Sequence, residues 1–570
     1  MVRWCLALAC VALLLPAALR AEDRSYDGSG NNLLNPTWGM AGTDFIRIAP
    51  AAYGDGISTP SGADRPNVRD ISNAIVAQSG SIPNTMNLSD MVFQWGQFLD
   101  HDMDLTNQAT PAENFNIVIP TGDPIFDPGS TGTQIMPLTR SQYDPTTGIT
   151  TPRQQVNSVS SYIDGSQIYG SDPARAAALR TGTGGQMKTS PGNLLPLNTL
   201  GLANGDNGDP AADQYYVAGD VRVNEQEGLT AIQTLFLREH NRQAALLAAA
   251  NPTWTDEQIY QQARKIVGAE IQSITYQEFL PALLGSAAPG ITSTYNPNVN
   301  ATIANEFATA FFRFGHSMLS PDLLRMQNDG TPAPGGPLSL QDAFFPHQGM
   351  SSPNQVDYIL KGLTMDTQQE IDVHMVDGVR NFLFGEPTPG SGQDLASLNL
   401  QRGRDHGLPD YNTIRVAYGL APVTSFADIT SDVSLQAQLR AVYGTTGGLD
   451  NVNDIDPWLG ALAEDHLPGM DVGPLIADSL IDQFTRLRDG DRFFFTNDPG
   501  LTPDELSYVE NLSLCDIIEA NTGLTGLQAN VFQAVPEPST LLLAGGGLAA
   551  LVGWTRRRRR ATATGASRAS

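Results

Sequence analysis

The sequence is short of cysteine, with three in 570 residues, and two of them, Cys5 and Cys10, fall in an apolar run at the start of the chain. A disulfide scaffold is thereby excluded, so the fold must hold without internal cross-links. The remaining Cys515 sits in an apolar helical pattern with Leu512, Leu514, Ile517 and Ile518, the setting of a buried small hydrophobe and not of a nucleophile. Basic residues are also scarce, 33 Lys and Arg against 60 Asp and Glu, for a net charge of -27. Eight of those 33 lie in the first 21 and last 16 residues, where there is no acid, which leaves residues 22 to 554 with 25 basic against 60 acidic groups, a net -35. So anionic a body is a poor nucleic-acid binder, because neutralising phosphates takes clustered Lys and Arg. No Cys/His zinc pattern, nucleotide-binding glycine loop or Gly-x-Ser-x-Gly elbow stands out.

What is present is a globular composition, 41% hydrophobic and 16% charged, too apolar for disorder. The length would suit three or four average domains or one large one. Glycine and proline concentrate in loop-like stretches at 22 to 66, 120 to 153, 181 to 214, 286 to 300 and 328 to 354, and no internal repeat is visible. Between them, helical spacing predicts a helix capped by Asn87 and running through Val92, Trp95, Phe98 and Leu99. Capping-box patterns at Asn224/Glu227 and Thr255/Gln258 precede two more, and residues 303 to 318 carry Phe307, Phe311 and Phe314 along one side. Long alternating strand patterns are scarce. The expectation is a mainly α, single large helical domain with little β structure, closing around one site.

Both ends read as addresses. Arg3, an apolar run over 4 to 15, and small residues at Ala18 and Ala21 have the layout of a secretory signal peptide, predicted over residues 1–21. At the other end, Val535-Pro536-Glu537-Pro538 precedes an apolar stretch over 541 to 554 and then Arg556 to Arg560. Five arginines would stay on the cytoplasmic side while a marginal 14-residue helix sits in the membrane. This tail resembles the PEP-CTERM sorting signal of Gram-negative bacteria, which implies an exosortase-type membrane partner, a transient membrane contact and surface or extracellular delivery. The resulting division is 1–21 signal, 22–533 body, 534–560 sorting signal and 561–570 a basic, disordered end.

The most informative segment is Trp95-Gly96-Gln97-Phe98-Leu99-Asp100-His101-Asp102. On a helix, Gln97 and His101 are four residues apart and share a face, with Asp100 on its edge, while Asp102, turned about 100° from His101, looks elsewhere. Alone, such a cluster is as readily structural as functional. Three further segments appear in order: Gly219-Asp220-Val221-Arg222 with Glu225, then Phe312-Arg313-Phe314-Gly315-His316, then Asn399-Leu400-Gln401-Arg402-Gly403-Arg404-Asp405-His406-Gly407. With Leu237-Arg238-Glu239-His240-Asn241-Arg242 and Leu487-Arg488-Asp489-Gly490-Asp491-Arg492-Phe493, they make the chain closely resemble the animal-type haem peroxidases, from about residue 30 to 533.

That resemblance implies haem b, hydrogen peroxide as oxidant and a halide, thiocyanate or phenolic donor. It makes His101 the distal acid-base, Arg222 its cationic partner, and Gln97 a pocket residue holding water or substrate. His316 becomes the iron ligand, Asn399 its hydrogen-bond partner, and Arg402 a haem-propionate partner. Asp100 and Glu225 fall where relatives form ester links to haem methyls, and Gln226 stands where the strongest halide oxidiser of the family has a methionine link, which is thus excluded. The resemblance also implies calcium held by Asp102 and the loop Ser160-Ser161-Tyr162-Ile163-Asp164-Gly165-Ser166, through oxygens of Ser160, Tyr162, Asp164 and Ser166, with Ser160 in place of the usual threonine; calcium prefers 6 to 8 oxygens. Two alternatives differ in class: a fatty-acid dioxygenase on the same fold, disfavoured because Arg313 stands where those relatives have tyrosine, and a calcium-dependent matrix protein without catalysis. His240, His347, His374, His406 and His466 have no ligand spacing of their own and read as structural.

Overall fold

The computed structural model describes residues 22 to 535 except 206–211, 345–349, 351, 353 and 388–391, so the predicted signal peptide and the predicted sorting signal beyond residue 535 lie outside the described residues. The principal helices are α1 (Met91–Met103), α2 (Glu227–Ala250), α3 (Asp256–Ile274), α4 (Asn354–Met365), α5 (Leu395–Asp405), α6 (Pro457–Leu462) and α7 (Pro474–Asp489). Paired strand among the described residues amounts to four two-residue antiparallel ribbons, such as Thr43–Asp44 with Val156–Asn157. None of their helices is long and apolar enough to cross a membrane. The expected mainly helical body is what the chain forms, and one continuous apolar core runs from Phe45 to Phe532, so the length is spent on one large domain.

Local signals account for some helix ends and fail at others. Thr255 Oγ1 accepts from the Gln258 backbone N–H, and the Thr255 N–H donates to Gln258 Oε1, the expected capping box of α3. Asn87 does not cap α1: it takes a positive φ of 57° and donates its amide to the Ala534 carbonyl, tying the end of the domain to the entry of α1. Asn224 likewise is not the cap of α2. Its side chain clamps both backbone groups of Tyr216, and Gln226 accepts from the Gly228 N–H instead. Residues 303 to 318 were expected as one helix but wind widely over Phe307–Phe311 and tightly over Phe312–His316. The change of winding stacks Phe307 on Phe312 with centroids 4.7 Å apart, and all four phenylalanines between 307 and 314 are buried. Irregular winding of this kind is frequent where a helix must aim a functional side chain.

α1 is held by a dry aromatic contact. Trp95 and Phe98, both fully buried, pack on Phe236 of α2, and the Trp95 indole N–H reaches Thr275 Oγ1 at 3.2 Å. Truncating such rings typically costs about 3–5 kcal/mol, enough to fix the axis and rotation of α1. α5 starts at Asp394, whose carboxylate accepts from the Ala396 and Ser397 N–H groups and also pairs with buried Arg69 at 2.8 Å. It ends at Asp405, two residues before Gly407, where φ is +67° and a Cβ would lie 2.7 Å from the Tyr53 ring. Start and stop together fix where Asn399 points.

Candidate functional site

α1 and the turn Phe312–His316 face one another across a cavity of about 290 Å³, near the lower end of the roughly 300–1,000 Å³ of small-molecule sites. Gln97, Asp100 and His101 line one wall, as the helical spacing predicts, with Arg222 and Glu225 beside them; His316 lines the other, among Phe312, Phe314 and Leu319. Asp102, turned away, is fully buried on the far side of α1. Residues more than 200 positions apart in sequence, such as His101 and His316, thus meet because α1 is pinned on α2 and the chain after α2 returns to it.

Next to His101 the electrostatics are dominated by one fork. Arg222 donates Nε to Asp220 Oδ1 at 2.8 Å and Nη2 to Oδ2 at 3.0 Å, and reaches the Asp104 carbonyl at 2.8 Å and Asp100 Oδ2 at 3.3 Å. Four of its five N–H groups are therefore engaged within the described residues. Burial works to lower the guanidinium's pKa, but Asp220 and Asp100 outweigh it, and the net shift is upward: the group is a permanent cation. Asp220 shows the reverse balance, burial opposed by Arg222 and His101, and is held below its usual range. His101, only 2% exposed, has Nδ1 3.7 Å from Asp220 Oδ1 and Nε2 3.5 Å from Glu225 Oε2. Burial of Glu225 is likewise outweighed, by His101 and Arg222, so that it too lies below its usual range. Gln97 donates to Glu225 Oε2 at 3.0 Å and accepts from Gln226 at 2.9 Å.

Asp220 is a further residue of the site, beyond those expected from the sequence. The signal was there: Asp-x-Arg places a carboxylate two residues before a guanidinium, within reach of a two-pronged pair. Gln226 was noted for the methionine it replaces, and what it does is hold Gln94 and Gln97 in place.

His316 Nδ1 lies 2.8 Å from the Asn399 side-chain nitrogen. Burial, then the nearby Arg313 cation, drives the imidazole down to about 3, so the ring is neutral and has a lone pair to give. Asn399 Oδ1 is buried and without a partner among the described residues. A half-turn of that amide brings the oxygen against Nδ1, which then carries the proton and leaves Nε2 free for a metal. The donor set therefore fits a metal-bearing prosthetic group ligated through His316. Arg402 lies one helical turn from Asn399, with Nη1 on Asp405 at 3.0 Å, Ser141 at 2.9 Å and the Thr139 carbonyl at 3.0 Å. It is outside the residues that line the cavity.

The Asp102 side chain accepts from the backbone N–H groups of Asp164, Gly165 and Ser166 at 3.0, 3.1 and 2.6 Å. Ser160 donates to Asp164 at 2.8 Å and Ser166 to the Asp102 carbonyl at 2.8 Å. Burial and then the charge of Asp164 hold Asp102 well above the usual carboxylate range. A second buried carboxylate, Asp164, and two hydroxyls thus adjoin Asp102, the residue after His101, with Tyr162 buried in the same loop.

The remaining histidines divide. His240, driven down to about 4 by burial, spans Tyr169 and the Gly185 carbonyl, and His406 is buried among Asn305, Thr309 and Ser141, both structural as expected. His374 pairs with Asp372, and His347 lies outside the described residues. His466 departs from expectation, as described below. Cys515 is buried and its thiol is pushed up to about 11 by that burial, the inert hydrophobe expected.

A neutral imidazole on one wall and an imidazole framed by a buried arginine–carboxylate fork on the other make this, as a class, a redox site built for a metal-bearing prosthetic group. The profile described as animal haem peroxidase matches residues 23–532, and the PEP-CTERM protein-sorting motif matches residues 534–559. The chain is 39% identical over 540 residues to peroxinectin A of Dictyostelium discoideum, covering 91% of this chain and 97% of that protein. The solved structure of peroxidase A from the same organism matches with a TM-score of 0.80 at 37% identity, over 90% of this chain and 99% of that one. A fatty acid alpha-dioxygenase of Arabidopsis thaliana shares the fold, TM-score 0.76 at 20% identity, over 90% of this chain and 84% of that one. The chain belongs to the animal haem peroxidase family. Membership makes it a haem-dependent oxidoreductase that takes hydrogen peroxide and an electron donor, and the sorting motif indicates export, exosortase processing and sorting to the cell surface.

Proposed function

We propose that the protein reduces hydrogen peroxide in the cavity between His101 and His316 and draws the electrons from a halide, thiocyanate or phenolic donor. The observation that carries this reading is the facing pair itself: His101 beside a locked Arg222, opposite a neutral His316 backed by Asn399. Haem, when bound, supplies the iron at which peroxide is reduced. His316 Nε2 would hold that iron. Asn399, as an amide acceptor, is weaker than a carboxylate and leaves the imidazole less electron-donating. A neutral His101 imidazole can accept a proton from peroxide at a ring nitrogen and return it to the departing oxygen. Arg222 supplies fixed positive charge where negative charge develops, already oriented by Asp220. Gln97 positions water or peroxide. Asp100 and Glu225 line the same wall and are the carboxylates for ester links to haem, while Arg402 would pair with a propionate.

A donor screen on the haem-loaded protein with bromide, iodide, thiocyanate and phenols, with the Soret band recorded before and after peroxide, tests the reading. Peroxide-dependent oxidation of at least one donor is expected, and a protein that binds haem but leaves every donor and its own spectrum unchanged by peroxide would refute it. Mass spectrometry after denaturation reports the ester links. The dioxygenase alternative rests on likeness of fold, and Arg313 in the cavity wall speaks against it; oxygen uptake with a polyunsaturated fatty acid is expected to stay at background.

We propose further that calcium binds between Asp102 and the 160–166 loop, through Ser160, Tyr162, Asp164 and Ser166. Its role is to pin the end of α1 from behind His101. A ligand present at 100 times its Kd stabilises by about 2.7 kcal/mol. Chelation should therefore lower the melting temperature and the peroxidase rate together, with calcium restoring both, and Asp102→Asn should remove the response. A melting temperature indifferent to chelator would count against the site.

A further inference from the structure

Glu370, His466 and Asp471 come together outside the cavity, from segments nothing in the sequence associates. Residue 370 lies beyond α4, and 466 and 471 lie in the connection between α6 and α7. His466 has no ligand spacing along the sequence; the tertiary fold supplies it. His466 Nε2 lies 2.7 Å from the Ile371 carbonyl. A carbonyl only accepts, so that nitrogen carries the ring proton. Nδ1 then faces two carboxylates, with Glu370 Oε1 at 3.4 Å and Asp471 Oδ1 at 3.9 Å. The Asp471 side chain is 0% exposed, and its Oδ1, aimed into the cluster, has no hydrogen-bond partner among the described residues.

The distances fit a shared cation better than a closed ion pair. A doubly protonated ring would close on a carboxylate to about 2.7–2.9 Å, and neither contact does so. Ligand atoms about 2.0–2.2 Å from one tetrahedral ion are separated by roughly 3.3–3.6 Å. The observed spacings lie at that value and a little beyond, and all three ligand atoms are within 4.8 Å of one another, so small rotations close them on a single ion. The outer atom of each ligand is also held. Asn84 donates to Asp471 Oδ2 at 2.7 Å, the Thr85 N–H to Glu370 Oε2 at 2.6 Å, and His466 reaches Ile371 as above. Metal ligands are normally oriented by outer hydrogen bonds of this kind.

We propose that Glu370 Oε1, His466 Nδ1 and Asp471 Oδ1 bind one divalent transition cation of the zinc class, with water completing the coordination on the half-exposed side. One imidazole with two carboxylates suits such an ion better than calcium, which takes oxygen alone. The ion would be a brace. It ties the turn at 84–85 that leads into α1 to the segment at 370, whose neighbour Gln369 donates to the carbonyl of Met318 in the cavity wall, and to the connection after α6.

The test uses untagged, full-length, haem-loaded protein in excess calcium, so that the oxygen site is filled. After equilibration with zinc and desalting, zinc per protein is measured by mass spectrometry, and affinity by calorimetry. One zinc per wild-type chain is expected, with affinity at least about tenfold lower in His466→Gln and Asp471→Asn and the Soret band unchanged. Wild-type protein that retains no more zinc than His466→Gln would overturn the site. Should the variants fail to fold, X-ray absorption of zinc-loaded wild type still decides: one imidazole with oxygen ligands is required, and coordination lacking that imidazole overturns the proposal.

Discussion

His316→Ala is expected to yield a folded chain without stoichiometric haem. Loss of an outer partner of a metal ligand costs about 10- to 100-fold in affinity, and loss of the ligand itself should cost more. The side chain is replaceable without collapse because it lies at the end of a turn whose packing is carried by Phe307, Phe312 and Phe314. The measurement is the ratio of Soret to protein absorbance after reconstitution, with circular dichroism as the control for folding. A variant with the full wild-type Soret intensity and position would remove His316 from the role of iron ligand. Asn399→Ala provides the graded comparison, since it leaves the ligand in place and deprives only Nδ1 of its partner.

His101→Ala is expected to bind haem as the wild type does and to lose about 10²- to 10⁴-fold in the rate of reaction with peroxide, the usual contribution of a positioned acid-base. Stopped-flow spectroscopy with peroxide in the absence of donor isolates that step. Wild-type rates would exclude His101 from proton transfer. Arg222 is a less clean target. Truncating it leaves Asp220 buried without its counter-charge, so folding and catalysis would fail together.

The body of the fold was legible where local chemistry and packing agree. Thr255 and Gln258 cap α3 because each side chain accepts from the other residue's backbone N–H with no help from elsewhere. Asn87 and Asn224 carry the same kind of signal and do not cap, because backbone groups outside the helices, at Ala534 and Tyr216, compete for their amides. The helical face shared by Gln97, Asp100 and His101 was readable from spacing alone, as was the opposite aim of Asp102. Asp220 sat in plain view two residues before Arg222, but its bearing on His101 required knowing that the 219–222 turn packs beside α1.

By itself the sequence determined the class: an acidic, cysteine-poor, mainly helical domain followed by a PEP-CTERM sorting motif, with its family motifs in order. Helical periodicity and long motifs are local, and local patterns survive being read without coordinates. The tertiary structure alone decided which charges compensate one another, which of them frame His101, and that His466 is not one more solitary histidine. Those outcomes depend on contacts between segments tens to hundreds of residues apart, whose distances no spacing in the chain encodes.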